Sequence, residues 1–336
     1  RHFKLLREGE IPLIVDLNTQ ISIVNFLEDL ESKQLQEKEY FDIEIERKIT
    51  SLQENQVKGN HLSTELTHQL DLVKQLRQSF LREAMQGKLV PQDPSDEPAS
   101  VLLEKIMAER KQLIQAKKIK KQKPLPPITK EEVPFKIPKN WILCRLGEIA
   151  ELKSGNQYKY PKSDSGVMFV KVGDMNLDGN ECEIKTSSNY FESNSVKESD
   201  LIAIGSIIFP KRGGAIATNK RRAVKQESIL VDSNTMAVIP SKLISFNYFL
   251  HFFSLIDLSK FGNEGVIPQV NNKDINPIII PIPPLLEQER IVSKLDELMQ
   301  YFDELETSIK ESQQQNELLL QKVLREALEP ASAILS

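Results

Sequence analysis

Two short stretches carry the residue types that could hold an anion or read a base edge. Lys211-Arg212-Gly213-Gly214 and Lys220-Arg221-Arg222 place five cations within twelve residues, framing a glycine-containing loop or hairpin. Arginine forks match the O6/N7 edge of guanine, while lysine and backbone N–H groups grip phosphates. Glycine permits close approach of a backbone. The second stretch, Lys153-Ser154-Gly155-Asn156-Gln157-Tyr158-Lys159-Tyr160, mixes cations, amides and aromatics. Asn and Gln can pair bidentately with adenine. The candidate DNA-contact residues are therefore Lys153, Asn156, Gln157, Lys159, Lys211, Arg212, Gly213, Lys220, Arg221 and Arg222. Either stretch alone also fits an ordinary solvated loop.

Catalysis finds no comparable support in the residue types. The four histidines, His2, His61, His68 and His251, do not cluster with Cys or Asp at metal-ligand spacing. There is no P-loop, no GxGxxG and no GxSxG. Asn276-Pro277-Ile278-Ile279 superficially resembles an amino-methyltransferase tetrapeptide, but it lacks the second proline and the aromatic that would stack on a flipped base. The expectation is a non-catalytic chain with no cofactor and no metal.

Composition bounds the rest. The chain has 336 residues, enough for roughly two or three domains. Charged residues make up 27% and aromatics 6%, a mix that suits long solvated helices plus one compact domain. The net charge of -4 does not advertise nucleic-acid binding, although acidic helices can mask a local basic patch. Cys144 and Cys182 form no CxxC and no disulfide framework, which points to a reducing, cytoplasmic compartment. No apolar run reaches membrane-spanning length, so no membrane partner is expected.

The elements that must position these loops are helices at both ends of the chain. From Pro281 to Leu328, apolar residues at Ile291, Leu295, Leu298, Phe302, Leu305 and Ile309 step by four and three, the seam of a coiled coil. Ser312 and Asn316 continue the seam, and Leu319 and Val323 restore it. The stretch Leu13–Leu30 echoes the start of this helix at an offset of 268 residues, and Phe80–Met85 echoes Val323–Leu328 at an offset of 243. The pattern reads as an internal duplication with a large insert between the copies. Residues 20–86 are helix-rich, with Asn18 or Thr19 as the cap, Gly59 as the obvious break, and a stripe of Leu62, Leu66, Leu70, Val73 and Leu76. Gly87 suits a helix C-cap. A turn-rich linker then leads into a helix from Ala99 to about Lys118, followed by a lysine run at 117–123 and a proline-rich boundary at 124–140.

Residues 141–280 change character. Strands are expected at Val167–Val172, Leu201–Ile204, Ile207–Phe209, Ile229–Val231 and Met236–Ile239, with a buried helix at Tyr248–Leu258. The resulting division is 1–19 as the tail of a preceding domain, 20–90 as a central helical region, 91–140 as helix and linker, 141–284 as a globular domain, and 285–336 as a distal helix.

On three stretches the sequence resembles the specificity (S) subunits of type I restriction–modification enzymes. Trp141–Gly155, WILCRLGEIAELKSG, looks like the opening of a target recognition domain. Ile280–Leu298, IPIPPLLEQERIVSKLDEL, looks like the entry into the family's conserved helix, and Phe80–Val90, FLREAMQGKLV, like the end of its central helix. The resemblance implies an α+β fold, a globular mixed target recognition domain flanked by two long helical regions packed as an antiparallel coiled coil. It implies a DNA sequence-recognition role at one half of a bipartite site, without catalysis. The implied partners are double-stranded DNA, methyltransferase (M) subunits, the restriction (R) subunit and, as an alternative, a second copy of the chain. A complete first recognition domain is missing from the pattern. A coiled-coil scaffold, or a homodimerising half-subunit that does not read DNA by itself, is the competing reading.

Overall fold

The computed structural model describes Val24 and residues 43–133, 135–261 and 267–328, with side chains of 43–46, 48 and 326–328 left aside. The tail at 1–19, the Asn18/Thr19 cap and the Leu13–Leu30 echo, apart from Val24, lie outside the described residues. The chain divides into two compact units, Arg1–Gln75 with Tyr301–Ser336, and Leu76–Gln300. Each is described by itself.

In the first unit, helix α1 (Ile43–Met85) contributes its residues up to Gln75, and the C-terminal helix α6 (Leu285–Leu328) contributes Tyr301 onward. Asn316 Nδ2 donates to the Gly59 carbonyl at 2.9 Å, and Gln313 Nε2 to Thr67 Oγ1 at 3.3 Å. Rising numbers on one helix meet falling numbers on the other, so the pair is antiparallel. The helix does not break at Gly59 as the sequence suggested. A Cβ there would meet Leu320 Cδ2 at 2.5 Å, so the glycine lets a leucine of the facing helix seat against bare backbone. The predicted seam is also shifted at alternate positions. Leu62, Leu305 and Leu319 are 45%, 47% and 59% exposed, while Leu66, Val73, Phe302, Ile309 and Asn316 are buried. The seam follows Gly59, Ser63, Leu66, Leu70 and Val73 on one helix, and Phe302, Glu306, Ile309, Gln313, Asn316 and Leu320 on the other. Leucines one residue away from it mislead a reading based on hydrophobicity alone. Each fully buried aliphatic or Phe side chain contributes roughly 1.5–3 kcal/mol.

In the second unit, α1 ends at Met85, where Gly87 N–H bonds to Ala84 O at 3.1 Å and Lys88 N–H to Glu83 O at 3.0 Å. This is the bonding pattern of a Schellman cap. Leu76 of the predicted stripe is 45% exposed. Helix α2 (Ala99–Gln115) ends three residues before the expected Lys118 and buries Ala99, Leu102 and Ile106. The globular domain is closed at its base by strand β1 (Ile142–Arg145), which pairs antiparallel with β10 (Ile279–Ile282). A short helix α3 (Leu146–Ile149) leads into β2 (Ala150–Ser154). Together with β6 (Ser206–Pro210), β7 (Arg222–Val224) and β9 (Thr235–Pro240), β2 forms a four-stranded antiparallel sheet in the order β2-β9-β6-β7. A smaller sheet runs β3 (Lys162–Ser163), β5 (Tyr190–Phe191), β4 (Val167–Val170) and β8 (Leu230–Val231), with β4 and β8 parallel.

Side chains alternate across a strand, and both faces of the larger sheet are covered. Leu152, Ile207, Phe209, Met236 and Val238 face the main core, with α2, α6 and helix α4 (Phe246–Ser254). Ile208, Val224 and Ala237 face a second core shared with Met168, Val170 and Val231 of the smaller sheet. Burial on both faces is why β6 reads as an unbroken apolar run. Helix α4 is capped by Ser245 and starts and ends earlier than expected. Its Tyr248 hydroxyl donates to Pro281 O at 2.7 Å. The expected strand at Leu201–Ile204 is only an isolated bridge, Ile202 to Ile229, and Val172 opens a 3-10 turn instead of extending β4.

Two polar clamps hold the base of the domain. Arg145 uses all five guanidinium N–H groups: two on Glu132 at 2.9 Å each, and three on the carbonyls of Pro126, Pro127 and Pro277 at 2.7–3.1 Å. That ties the proline-rich boundary to the sheet. Trp141 Nε1 and Gln92 Nε2 donate to the two carboxylate oxygens of Glu287 at 3.0 and 2.6 Å, and Arg290 bonds Asp96 at 2.5 Å. Burial pushes the Glu287 carboxyl up, with both donated hydrogen bonds opposing the shift.

Candidate nucleic-acid interface

The antiparallel register decides which loops meet. Ser154 pairs with Met236 and Pro210 with Thr235, so the end of β2, the end of β6 and the start of β9 lie at one edge of the sheet. Backbone bonds then bind the loops together. Gly155 N–H reaches Thr235 O at 3.0 Å, Asn156 N–H reaches Val231 O at 3.2 Å, and Lys211 N–H reaches Asn234 O at 2.8 Å. A Cβ at Gly155 would collide with the carbonyl oxygens of Val231 and Asp232, so only glycine allows this approach. Gly213 sits at φ 75°, ψ −168°, a region that is essentially glycine-only. A further segment joins here, since Gly213 N–H bonds Pro268 O and Val270 N–H bonds Lys211 O, both at 2.8 Å, with Arg212 and Gln269 in an antiparallel bridge. Asp232 N–H bonds Val170 O at 3.0 Å, which brings exposed Lys171 to the same edge.

The loop after β2 is fastened by its aromatics. Tyr158 and Tyr160 stack at 5.7 Å, Tyr158 meets Phe169 edge-on at 6.1 Å, and Tyr160 meets Phe191 at 5.8 Å. The Tyr160 hydroxyl donates to Asp200 Oδ2 at 2.5 Å, and burial pushes the Tyr158 phenol up to about 12. These rings anchor the loop instead of offering a stacking platform. Asn156, Gln157 and Lys159 are left exposed.

The cations separate into two groups. Arg212 is exposed, its Nε donating to Gln269 Oε1 at 3.2 Å. Lys211 beside it is half-buried. Burial and then the Arg212 charge lower its pKa, with Asp232 opposing. Two like charges side by side favour an incoming anion. Lys153, by contrast, donates to the carbonyls of Ser199 and Leu201 at 2.6 and 2.8 Å. Arg221 donates to the carbonyls of Asn219 and Ile256 and lies over the Phe253 ring at 5.5 Å, its pKa lowered to about 10 by burial. Arg222 bonds Arg221 O and Met175 O, both at 2.7 Å, and Lys220 bonds the Asn176 side chain. The structure thus gathers Asn156, Gln157, Lys211, Arg212 and Gly213 at one edge, leaves Lys159 exposed on the same loop, and gives Lys153, Lys220, Arg221 and Arg222 partners inside the protein. Gln269, Asn271, Asn234 and Lys171 escaped sequence reasoning. The amide-rich run Pro268-Gln269-Val270-Asn271-Asn272 marks a polar loop, but only the bridge to Arg212 shows where it goes.

Among the described residues, no group of three or more His, Cys, Asp or Glu side chains is placed to hold a metal ion. No described helix is long and apolar enough to cross a membrane.

Comparison with known proteins bears on this geometry. Residues 138–314 match the type I restriction modification DNA specificity domain. The chain is similar to the type I restriction enzyme EcoAI specificity subunit of Escherichia coli, 31% identical over 79% of this chain and 46% of that protein. It is also similar to the EcoEI specificity subunit of Escherichia coli, 29% identical over 75% of this chain and 44% of that protein. The chain therefore spans about half the length of the curated relatives it matches. A solved structure, described as the structural basis underlying complex assembly and conformational transition of the type I R-M system, shares the fold at TM-score 0.52. It is 16% identical and covers 90% of this chain and 67% of that one. A match that spans more than half of the sequence and takes in the whole sheet with its loop edge establishes that the chain belongs to the type I restriction modification DNA specificity domain family.

Proposed function

We propose that this chain is the DNA sequence-recognition part of a type I restriction–modification complex, reading one half of a bipartite site. The observation that carries the reading is the convergence of exposed Asn156, Gln157 and Arg212, with Lys211, at one edge of a sheet buried on both faces. Amides and an arginine fork supply base-edge donors and acceptors, lysines supply phosphate contacts, and the rigid sheet fixes their spacing. Among the first candidates, Lys153, Arg221 and Arg222 support the loops, and Lys211, Arg212, Asn156 and Gln157 meet the duplex. In the same reading the chain performs no catalysis itself. The long helices α1 and α6 are the scaffold on which methyltransferase and restriction subunits assemble in the cytoplasm. Two free cysteines, one buried and one exposed, suit a reducing compartment.

Selection from a random duplex pool tests the reading, using the full chain mixed with its methyltransferase subunit at a stated salt concentration. An enriched short motif is expected. No enrichment, with subunit binding intact, leaves a coiled-coil scaffold in place of a reader of sequence.

A further inference from the structure

Arg212 is not a free surface arginine, and the group that holds it sits 57 residues further along the chain. Gln269 is itself fixed from both sides. Its neighbours are tied to the Lys211–Gly213 turn by two 2.8 Å backbone bonds, and Val270 is fully buried. The Gln269 side chain accepts from Arg212 Nε through Oε1 at 3.2 Å and donates through Nε2 to Asn271 Oδ1 at 2.9 Å. Asn271 is held in turn, its backbone N–H on Asp274 Oδ2 at 2.8 Å, at the start of the short helix α5 (Asn272–Ile275). The direction of this chain of bonds is determined by chemistry. An arginine Nε can only donate, so the Gln269 oxygen must face it and the Gln269 nitrogen must face Asn271. With Nε occupied, the two terminal nitrogens of this exposed side chain are the pair left for a ligand among the described residues. That pair matches the O6 and N7 acceptors of guanine.

We propose that Gln269 is a positioning residue for base recognition, aiming the terminal nitrogens of Arg212 at a guanine in the major groove. The proposal rests on the reading of this edge as a DNA interface. An unheld arginine would serve phosphates and bases alike. A held one loses less rotamer freedom on binding and discriminates by direction.

The test is binding of the full chain with its methyltransferase subunit to the selected motif and to single-base-pair variants of it. Gln269→Ala should lower the preference for one G·C pair about tenfold, within the range of one bidentate contact. It should leave the affinity for unrelated duplex and the salt slope unchanged. Arg212→Ala should lose the preference at the same pair, and the double variant should lose no more than Arg212→Ala alone. Gln269→Glu keeps an acceptor for Arg212 Nε and should keep the base preference while binding all duplexes more weakly. If wild type shows a motif and Gln269→Ala alters no position, or if the two single losses add, the positioning role is overturned. Weakening of Gln269→Ala on every duplex alike, at an unchanged thermal midpoint, overturns it too. If Gln269→Ala unfolds, loss of the preference in Gln269→Glu overturns it and retention upholds it. A wild-type chain without any motif overturns the DNA reading itself, and this role with it.

Discussion

Arg221 and Lys211 show how little a residue's type says about its task. Both lie in the basic stretch that the sequence singles out. Arg221 lies over Phe253 and bonds two carbonyls, whereas Lys211 is half-buried at the loop edge, where burial and the Arg212 charge lower its pKa and Asp232 opposes them. Arg221→Ala should therefore lower the thermal midpoint, costing about 2 kcal/mol for lost packing and orphaned carbonyls. The base preference of whatever protein remains folded should stay as it was. Lys211→Ala should leave the midpoint in place, weaken every duplex alike and reduce the slope of log K against log salt by about one. An Arg221 variant that folds normally and changes its motif would reverse these assignments. The sequence singled out the stretch in which both residues lie. It could not separate the two roles, because inward and outward cations carry the same charge and differ only in which carbonyls lie nearby.

Among the elements, the long helices and the β strands were legible for different reasons. β6 and β9 are buried on both faces, so their apolar runs stand out from polar loops. The helices were found by their period, but the seam was misplaced at Leu305 and Leu319, where the structure puts Glu306 and Leu320. What decides the seam is the partner helix, above all Gly59, which has no side chain of its own to show up in a hydrophobic pattern. The two assignments differ measurably. Leu305→Gln should change unfolding free energy by less than about 0.5 kcal/mol, while Ile309→Ala should cost about 2–4 kcal/mol. Circular dichroism of the helices during denaturation would report both. Equal costs would restore the sequence-derived seam.

At the scale of the whole molecule, pH acts through groups that pin α6 to the domain. His251 on α4 faces Asp296 at 3.1 Å, and burial lowers its pKa, with the Asp296 bond opposing. The unfolded chain takes up this proton near pH 6.5, the folded chain only below that. In the window between, the unfolded state binds more protons, so stability falls as pH drops through 6.5 and levels off below the folded value. Glu287 tilts the curve the other way, because burial raises its pKa and the folded state is then protonated first as pH falls. The difference between parent and His251→Gln isolates the imidazole. The parent should lose midpoint relative to the variant between pH 7.5 and 5.5, and parallel curves would show that the imidazole does not feel its burial.

The ladder between β1 and β10 has one more consequence. The chain leaves the recognition domain beside the point where it entered, four residues against four. Such a doorway is indifferent to what lies behind it. A domain with other loops, spliced between Trp141 and Ile282 with its faces toward Ile291 and Leu295 preserved, should hang from the same frame and carry the donor's motif with it. A chimera that folds but still selects the parent motif would place reading outside the doorway. One that selects the donor's motif would make this domain an interchangeable cartridge, so that a new target sequence can be acquired by recombination at two points that are distant in the sequence but neighbours in the fold, while the helical frame stays as it is.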